Sequence, residues 1–269
     1  MAHQVYENIV LANKIEDILL TAVDLTSYMT VDTSMTQEAG MKKKINTYKA
    51  SGDVETLEMG VGNSGDIEVS FTTKEYEVET VQGRFQYFDE QEMTDPMVVQ
   101  TGLEGIAKTM INDFTTKAVA EFDKATLSIT RSGFAFTDVV DAIAKMNIEK
   151  EDGLFLLVGI KDLADFRKEL SDDLKYNEAF VRTGYVGSVC GVPVIVTKAI
   201  TNGNIYLATK EAVTVFIKKD TEVEQERDAN VRKNKVYIRK VAVVALTDAN
   251  KVVKIVPKKE EPVTPPSGQ

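Results

Sequence analysis

KEYEVETVQGRFQYFDEQEMTDP, residues 74–96, contains the change from extended chain to a long helix. Its first part alternates apolar Tyr76 and Val78 with polar residues, and the part after Gln82-Gly83-Arg84 alternates again through Phe85. A period of two is expected of strands. Acidic residues follow, then Thr94 or Asp95 as a helix cap and Pro96, which suits a first helical turn. The stretch therefore predicts extended segments that lead directly into a helix.

The predicted helix runs from residue 95 to 128, which is roughly 50 Å at 1.5 Å per residue. Its apolar side chains recur every three or four positions and form one stripe. The residues expected in the helix core are Leu103, Ile106, Met110, Phe114 and Phe122. Gly102 and Gly105 soften the first part of the helix without breaking the stripe. Because the helix has these glycines and lacks a clean run of flanking charge pairs, burial against a sheet of the same subunit is favoured over a coiled coil.

Before this helix lies a polar, Gly-rich stretch that predicts an extended β-hairpin loop over residues 44–75. Val69 and Phe71 alternate with polar residues as in a half-buried strand, but Tyr76 continues in the opposite phase. A bulge, bend or turn is therefore expected at residues 73–75. The segment SGDVETLEMGVGNSGD, residues 51–66, predicts a flexible tip.

This hairpin has too few apolar residues for a core of its own, so contact with other copies of the chain is expected. The candidate contact residues are Lys49, Asp53, Leu57, Met59, Gly60, Gly62 and Gly65. Residues 1–43 are interpreted as an N-terminal arm, with a helix near residues 7–21. Charges interrupt each apolar run of the first 30 residues, which excludes a signal peptide and a membrane span.

Beyond residue 133 the pattern changes to that of an α/β domain, expected over residues 134–219. A helix capped by Thr137 or Asp138 precedes the apolar run 154–160, which is typical of a strand buried on both faces. A helix over 161–170, a loop over 171–191 and strands from residue 192 follow. Residues 220–256 are expected to return to the first domain through a final hairpin turn at 247–250. Residues 257–269 are expected to be a disordered tail.

Composition excludes several classes of site. The formal net charge is -10, which argues against tight, sequence-independent DNA binding because that binding depends on Lys and Arg. One histidine and one cysteine, Cys190, cannot build a zinc site or a nucleophile with its base. Glu222, Glu224 and Glu226 are most simply explained as the solvent-exposed face of a strand. No catalytic, cofactor or metal site is predicted, and the chain is not expected to be an enzyme.

The segment Gly60-Val61-Gly62-Asn63-Ser64-Gly65 matches the dinucleotide fingerprint G-x-G-x-x-G. That motif needs a buried strand before it and a helix after it. Polar residues precede it here and an alternating segment follows, so a hairpin tip is the favoured interpretation.

Taken in order, these segments resemble the major capsid protein of tailed double-stranded DNA bacteriophages, with the α+β Hong Kong 97-type fold. The resemblance is carried by residues 74–96, by LFLLVGIKDLADFRKEL (154–170) and by GSVCGVPVIVTKAI (187–200). It implies an N-terminal arm 1–43, a hairpin loop 44–75 and a peripheral domain 76–133 with a spine helix 95–128. It further implies an axial domain 134–219 and return strands 220–256.

The resemblance also implies a structural function. Hexamers and pentamers would form an icosahedral head around DNA that is held without sequence-specific binding. The chain starts directly before its arm, which suggests a separate scaffolding protein, or none. A portal and assembly in the host cytoplasm are further expectations. Some relatives crosslink their subunits by a Lys-Asn isopeptide bond, for which Lys49 is the nearest candidate here. No matching acceptor or catalytic acid is evident, so no crosslink is expected.

Two alternatives stay open at this point. A cellular nanocompartment shell of the encapsulin type would share the fold and enclose an enzyme instead of DNA. A small oligomeric α/β enzyme would use the domain after residue 134, but its nucleophile, base and metal ligands are missing.

Overall fold

The computed structural model describes residues 4–7, 25–131, 136–148, 153–164, 167, 188–200 and 203–258. The helices with full bounds are α1 (Asp89–Thr94), α2 (Met97–Phe122) and α3 (Phe136–Met146). The strands are β1 (Gln4–Glu7), β2 (Thr30–Asp32), β3 (Lys42–Ser51), β4 (Glu68–Glu77), β5 (Glu79–Phe88), β6 (Leu127–Arg131), β7 (Leu154–Gly159), β8 (Ser188–Val189), β9 (Val192–Thr197), β10 (Ile205–Thr209), β11 (Val213–Asp228), β12 (Lys233–Leu246) and β13 (Val252–Pro257). The mixture of helices and sheets is the predicted α+β class.

One sheet has the strand order β1-β11-β12-β5, and β2 pairs in parallel with β11. The first part of α2 packs on one face of this sheet, where Leu103, Ala107 and Met110 meet Val223 and Ile238. Asp95 prepares the helix start, since its Oδ1 accepts a hydrogen bond of 2.9 Å from the Met97 amide. The helix and this sheet form one layer pair.

A second sheet has the order β6-β13-β10-β7-β9-β8. All six residues of β7 are buried, as its uninterrupted apolar sequence predicted. Val139 and Ala142 of α3 cover one face of the sheet. The end of α2 covers the other, where the ring of Phe122 lies 6.0 Å from that of Phe155.

Strands β11 and β12 pair in the first sheet only, but their side chains contribute to the cores of both halves of the subunit. The N-terminal end of β11 and the C-terminal end of β12 pack in the core with Phe122, whereas the other ends of both strands pack under the first half of α2. Their register shifts between Ile217 and Lys219 and again before Glu222. These irregularities are the point at which the long ribbon changes from one core to the other.

Three expectations are corrected. The helix ends at Phe122 and not at residue 128, because Leu127 and Ile129 lie in strand β6 with their side chains packed toward the α3 core. Residues 247–250 do not form a hairpin turn within one sheet. They carry the chain from β12 to β13, which pairs with β10 and β6 in the six-stranded sheet, so β13 does not return to the sheet under the first half of α2.

Strand β4 also differs from expectation. Its pairing with β3 runs from Lys42 opposite Glu77 to Ser51 opposite Glu68 without a register shift, so no bulge or bend occurs at 73–75. The change of phase reflects a change of partner instead. Tyr76 is partly buried against the body of the subunit, whereas Val69 and Phe71 are exposed.

The N-terminal segment is partly folded onto its own subunit. Leu25, Met29 and Met35 are buried there, and β1 and β2 cover the outer edge of β11. Residues 25–36 of the predicted N-terminal arm therefore pack against their own subunit. Glu7 lies in strand β1. Three predicted segments lie outside the described residues: the rest of the helix near 7–21, most of the loop 171–191 and residues 259–269 of the tail.

Candidate assembly surfaces

Strands β3 and β4 form a two-stranded ribbon that is separate from both sheets. Each strand has ten residues, which is about 33 Å of extended chain. Among the described residues, neither strand pairs with a third. Isolated two-stranded hairpins are marginally stable in water, so this ribbon needs a further partner.

One face of the ribbon is apolar; it is called the apolar hairpin face and consists of Tyr48, Ala50, Val69 and Phe71. The register places Tyr48 opposite Phe71 and Ala50 opposite Val69, and the two rings are 6.1 Å apart. Tyr48, Val69 and Phe71 are each 66% exposed. The alternation at residues 67–71 predicted a half-buried strand, but none of the described residues of the subunit buries this face. Sequence reasoning missed this face because it assumed burial in cis.

The loop between the two strands carries most of the residues predicted to contact other copies. All seven predicted residues are exposed, and the Met59 side chain is fully so. Lys49 lies on the polar side of β3, opposite Ser70, and the other six lie in residues 52–67. Contacts between them and a second copy remain a prediction.

Local hydrogen bonds give the loop its shape. The Ser64 amide donates to Glu55 Oε2 at 2.8 Å, and the Ser64 hydroxyl donates to the other carboxylate oxygen. These bonds hold the pKa of Glu55 below its ordinary value. Gly60 has a φ of 88°, which only glycine adopts easily. The loop is acidic and has no Lys or Arg; its acidic residues are Asp53, Glu55, Glu58 and Asp66.

The root of the ribbon is anchored in the subunit. Val78 is 7% exposed, and its amide donates to the Met41 carbonyl at 2.8 Å. The Tyr76 hydroxyl donates to the Leu246 carbonyl at 3.3 Å. Burial is the main reason that the pKa of Tyr76 is raised. The ribbon is therefore fixed at residues 76–78 and projects from there.

Charge pairs close the two strands beside this root. Lys44 lies 2.8 Å from Glu75, and Lys42 lies 3.1 Å from Glu77. The hydrogen bond from Lys44 lowers the pKa of Glu75. Lys42 and Lys44 are thus used within the hairpin, whereas Lys43 lies 3.6 Å from Glu38 outside it.

A groove of about 600 Å³ lies between α2 and β5. It is called the Gly105 groove, and its lining residues are Val81, Gln82, Gly83, Arg84, Phe85, Gly102, Gly105, Ile106, Thr109, Met110 and Asp113. Two glycines permit close packing under it: a Cβ at Gly83 would lie 2.4 Å from the side chain of Ile106, and a Cβ at Gly102 would lie 2.5 Å from the ring of Phe85. A Cβ at Gly105 would have no neighbour within 4 Å.

The residues predicted for the helix core lie on the inner side of α2. Leu103, Met110 and Phe122 are buried, whereas Ile106 and Phe114 are partly buried. Sequence reasoning missed Ala107, Ile111 and Val119, which are buried as well. The four-residue recurrence of Leu103, Ala107 and Ile111 was the available signal.

The sheet face opposite α2 is polar and internally paired. Arg239 lies 2.5 Å from Glu222 and 3.1 Å from Glu224, and Glu226 accepts from the Tyr237 hydroxyl at 3.0 Å. The hydrogen bond from Arg239 is the main cause of the lowered pKa of Glu222. These carboxylates therefore form ion pairs and hydrogen bonds with the neighbouring strand, as expected for the solvent-exposed face of a strand.

Within the described ranges, no group of three or more His, Cys, Asp and Glu side chains is arranged to hold a metal ion. The G-x-G-x-x-G segment lies in the loop between antiparallel strands β3 and β4, and no helix follows it. Cys190 is partly buried in the β8–β9 turn. Across all the residues that the structure describes, no helix is long and apolar enough to cross a membrane.

Comparisons with known proteins agree with this architecture. The major capsid protein of Staphylococcus phage phiMR11 is 23% identical over 253 residues, and the match covers 91% of each chain. No protein-family model matches the chain. The similarity to the phage protein extends from the hairpin half to the α/β half, so it is not confined to one motif.

Solved structures show the same fold at lower identity. The capsid of cyanophage P-SCSP1u is 11% identical, with a TM-score of 0.66 over 87% of each chain. A virus-like particle from Pyrococcus furiosus is 14% identical, with a TM-score of 0.64 over 91% of this chain and 97% of the other. The predicted Hong Kong 97-type capsid fold is confirmed. The phage relative also confirms the resemblance to phage major capsid proteins over most of the chain.

Proposed function

We propose that this chain, with its Hong Kong 97-type capsid fold, is the major capsid subunit of a tailed bacteriophage and assembles into the hexamers and pentamers of an icosahedral head. The observation that carries the proposal is the hairpin, which projects from a well-packed subunit with a largely exposed apolar face. Stable monomers rarely expose an apolar face of this kind, which is typical of interaction surfaces. A shell subunit buries it against the next copy.

Assembly by this hairpin is head to tail. The ribbon leaves the subunit at one place, while any surface that receives it must lie elsewhere on the copy that follows. Such heterologous contacts close into rings when the rotation between subunits is right. One fold can therefore supply both five-fold and six-fold capsomers by small changes at its contacts.

The electrostatics suit a container for DNA. The chain carries a net charge of -10, and the carboxylates on the polar face of the sheet are already paired with Arg and Lys. Packaged DNA is then held without sequence-specific binding, and the net negative charge of the chain disfavours tight adsorption of the DNA phosphates. A separate scaffolding protein, a portal and assembly in the host cytoplasm complete this proposal; they are carried over from the phage resemblance.

The experiment is expression of the chain, alone and with candidate scaffolding proteins from the same genome, followed by negative-stain electron microscopy. Closed shells or rings of subunits are the expected result. Stable monomers under all these conditions, together with saturable binding of a small molecule, would contradict the proposal and favour the enzyme alternative. Particles recovered from an infected host distinguish the two shell functions, because nuclease-resistant DNA supports a phage head and an enclosed protein supports a nanocompartment.

A further inference from the structure

We infer that the hairpin has a second, closed position, in which the root of β4 joins the sheet under α2 by pairing with the free end of β12. In the position described above, the hairpin is open at this place. Both positions belong to the unassembled subunit, so neither depends on the proposed shell function. Strand register, backbone direction, a cavity and the charges around it support the closed position.

The pairing of β5 with β12 stops before β12 ends. Its last pair is Glu79 opposite Ala242. Strand β12 continues through residues 243–246, whose other edge is paired with β11. Among the described residues, no strand pairs with 243–246 on the side of β5. If the register continued through the link residue Val78 into β4, residues 78 to 75 would lie opposite residues 243 to 246.

The backbone groups of the two strands already point toward each other. Alternate residues of an antiparallel strand direct their N–H and C=O groups to opposite edges. The Val78 amide bonds to the segment that enters β3, so Glu77 directs its N–H and C=O away from β3 and toward β12. The Leu246 carbonyl accepts a hydrogen bond of 3.3 Å from the Tyr76 hydroxyl, so it points toward β4. Val244, two residues earlier, points the same way and is the residue that would pair with Glu77.

The side chains at the root are also in phase. Val78 and Tyr76 pack in one core with Val241, Val243 and Ala245 of β12. In the continued register, Val78 lies opposite Val243 and Tyr76 lies opposite Ala245, and residues directly opposite each other share a face. The closed position therefore keeps this core and requires no side chain to change sides.

A cavity of about 260 Å³ lies where these pairs are missing. Its walls are residues 75–77 of β4, residues 242–244 of β12 and the second half of α2, including Phe114 and Ala120. Protein interiors contain few voids larger than a water molecule. Movement of β4 against β12 would form the missing hydrogen bonds and remove the cavity in one step.

Charges across the cavity favour the open position. Four carboxylates and one ammonium line it, those of Glu75, Glu77, Glu79, Glu121 and Lys117. Each carboxylate has a lysine beside it, but Glu121 is 8% exposed and its Oε2 has no hydrogen-bond partner within the described residues. Movement of β4 inward would bring its carboxylates toward this buried oxygen. Repulsion between like charges is strongest where water is excluded, so Glu121 opposes the closed position.

The two positions give the subunit two shapes. In the open position the ribbon of β3 and β4 is separate from both sheets. In the closed position the ribbon extends the sheet under α2, and the hairpin leaves the subunit at a different angle. The charge of Glu121 sets the balance between the two.

Hydrogen exchange measures the closed position in the unassembled subunit. Glu121→Gln removes the charge but keeps an oxygen for the bond from Lys124. The amides of Glu77 and Val244 should then exchange at least fivefold more slowly than in wild type, because both become hydrogen-bonded. Glu104→Gln removes a carboxylate from α2 outside the cavity and should leave both rates unchanged. Unchanged rates in Glu121→Gln would overturn the inference.

A disulfide records the closed position independently. In a Cys190→Ser background, Glu77→Cys and Val244→Cys would lie directly opposite each other in the closed position, with Cα atoms about 5.5 Å apart, which suits a disulfide. Glu75→Cys with Val244→Cys is the control, because that pair stays diagonal at roughly 7–8 Å. The 77–244 bond should form at least tenfold faster than the control bond, and Glu121→Gln should speed it further. Equal rates for the two pairs, or no effect of Glu121→Gln, would overturn the inference, whereas failure to assemble would contradict only the proposed function.

Discussion

Asp123, the residue that ends α2, is held by Lys254 of β13: the Lys254 ammonium lies 3.3 Å from Asp123 Oδ1 and 3.0 Å from the Asp123 carbonyl oxygen. Tyr206 and Asn204 donate to the same carboxylate oxygen at 2.9 and 3.0 Å. One carboxylate therefore joins the end of the long helix to two strands of the six-stranded sheet. The cation near the helix C-terminus also complements the helix dipole.

Asp123→Asn should weaken this joint in a pH-dependent way. Burial tends to raise the pKa of Asp123, but the hydrogen bond from Tyr206 and the charge of Lys254 outweigh it, so the pKa lies below its ordinary value of 3.8. The stabilisation is thus complete above pH 3.8 and is lost as the pH falls through the folded-state pKa. The variant should lose about 1 kcal/mol at pH 7, a modest cost because the group is partly exposed.

Urea unfolding at pH 7 and at pH 3 measures this difference. The gap between wild type and Asp123→Asn should narrow at pH 3. A gap that stays constant across the two pH values would show that the carboxylate charge contributes nothing to the joint.

Gly102→Ala and Gly105→Ala should have opposite effects on stability, although both lie in one helix. A Cβ at Gly102 would overlap the Phe85 ring, and such overpacking costs about 1–3 kcal/mol. A Cβ at Gly105 meets nothing, so the higher helix propensity of alanine should add up to about 1 kcal/mol. Thermal unfolding of the unassembled subunit compares the two; equal shifts in Tm would show that the Phe85 ring moves away freely.

Phe122→Ala and Phe71→Ala separate folding from assembly with the same change of side chain. Phe122 is 1% exposed and packs against Phe155 and Tyr206, so its loss should cost about 3–5 kcal/mol. Phe71 is largely exposed and should change subunit stability by less than about 1 kcal/mol. Unfolding curves and particle yields are measured for both. Phe71→Ala subunits that are as stable as wild type should assemble poorly; normal shell yields would show that the apolar hairpin face is not an assembly contact.

Replacing residues 52–67 by Asn-Gly should leave a folded subunit with a shorter hairpin. Ser51 lies opposite Glu68, so a two-residue type I′ turn fits the register. The loop contributes nothing to the described cores, and Tm should change by no more than a few degrees. Shell assembly should fall, because the acidic loop is lost. Loss of folding would show that the loop stabilises the subunit.

The sequence predicted elements that depend on a local, one-sided pattern. The stripe on α2 and the apolar run of β7 identify these elements correctly, because α2 has buried residues along its length and every residue of β7 is buried. The end of α2 was predicted six residues too late. Residues 123–128 have no glycine or proline, and what ends the helix is the Asp123 joint and the pairing of β6 with β13. Both depend on residues at least 81 positions away along the chain.

The candidate surfaces were predictable only in part. A polar, Gly-rich segment before a long helix indicated a hairpin with partners outside the subunit. The pattern of Val69 and Phe71 could not show that their face is left uncovered, since a period of two is the same whether the covering layer is the same chain or another. The Gly105 groove was out of reach for a similar reason. Gly102 and Gly105 are three residues apart in one helix, and only the position of Phe85 distinguishes them.

The continuous ribbon of β11 and β12 has a mechanical consequence. A container filled with a compressed polymer is under outward pressure, and its wall carries tension in the plane of the shell. In each subunit the two halves are connected by paired strands that run through both cores. Tension along such strands loads many interstrand hydrogen bonds at once, in shear. A flexible linker between the two halves would have no such bonds to share the load. The register shifts at residues 217–222 provide a place where the ribbon can bend under load without separating.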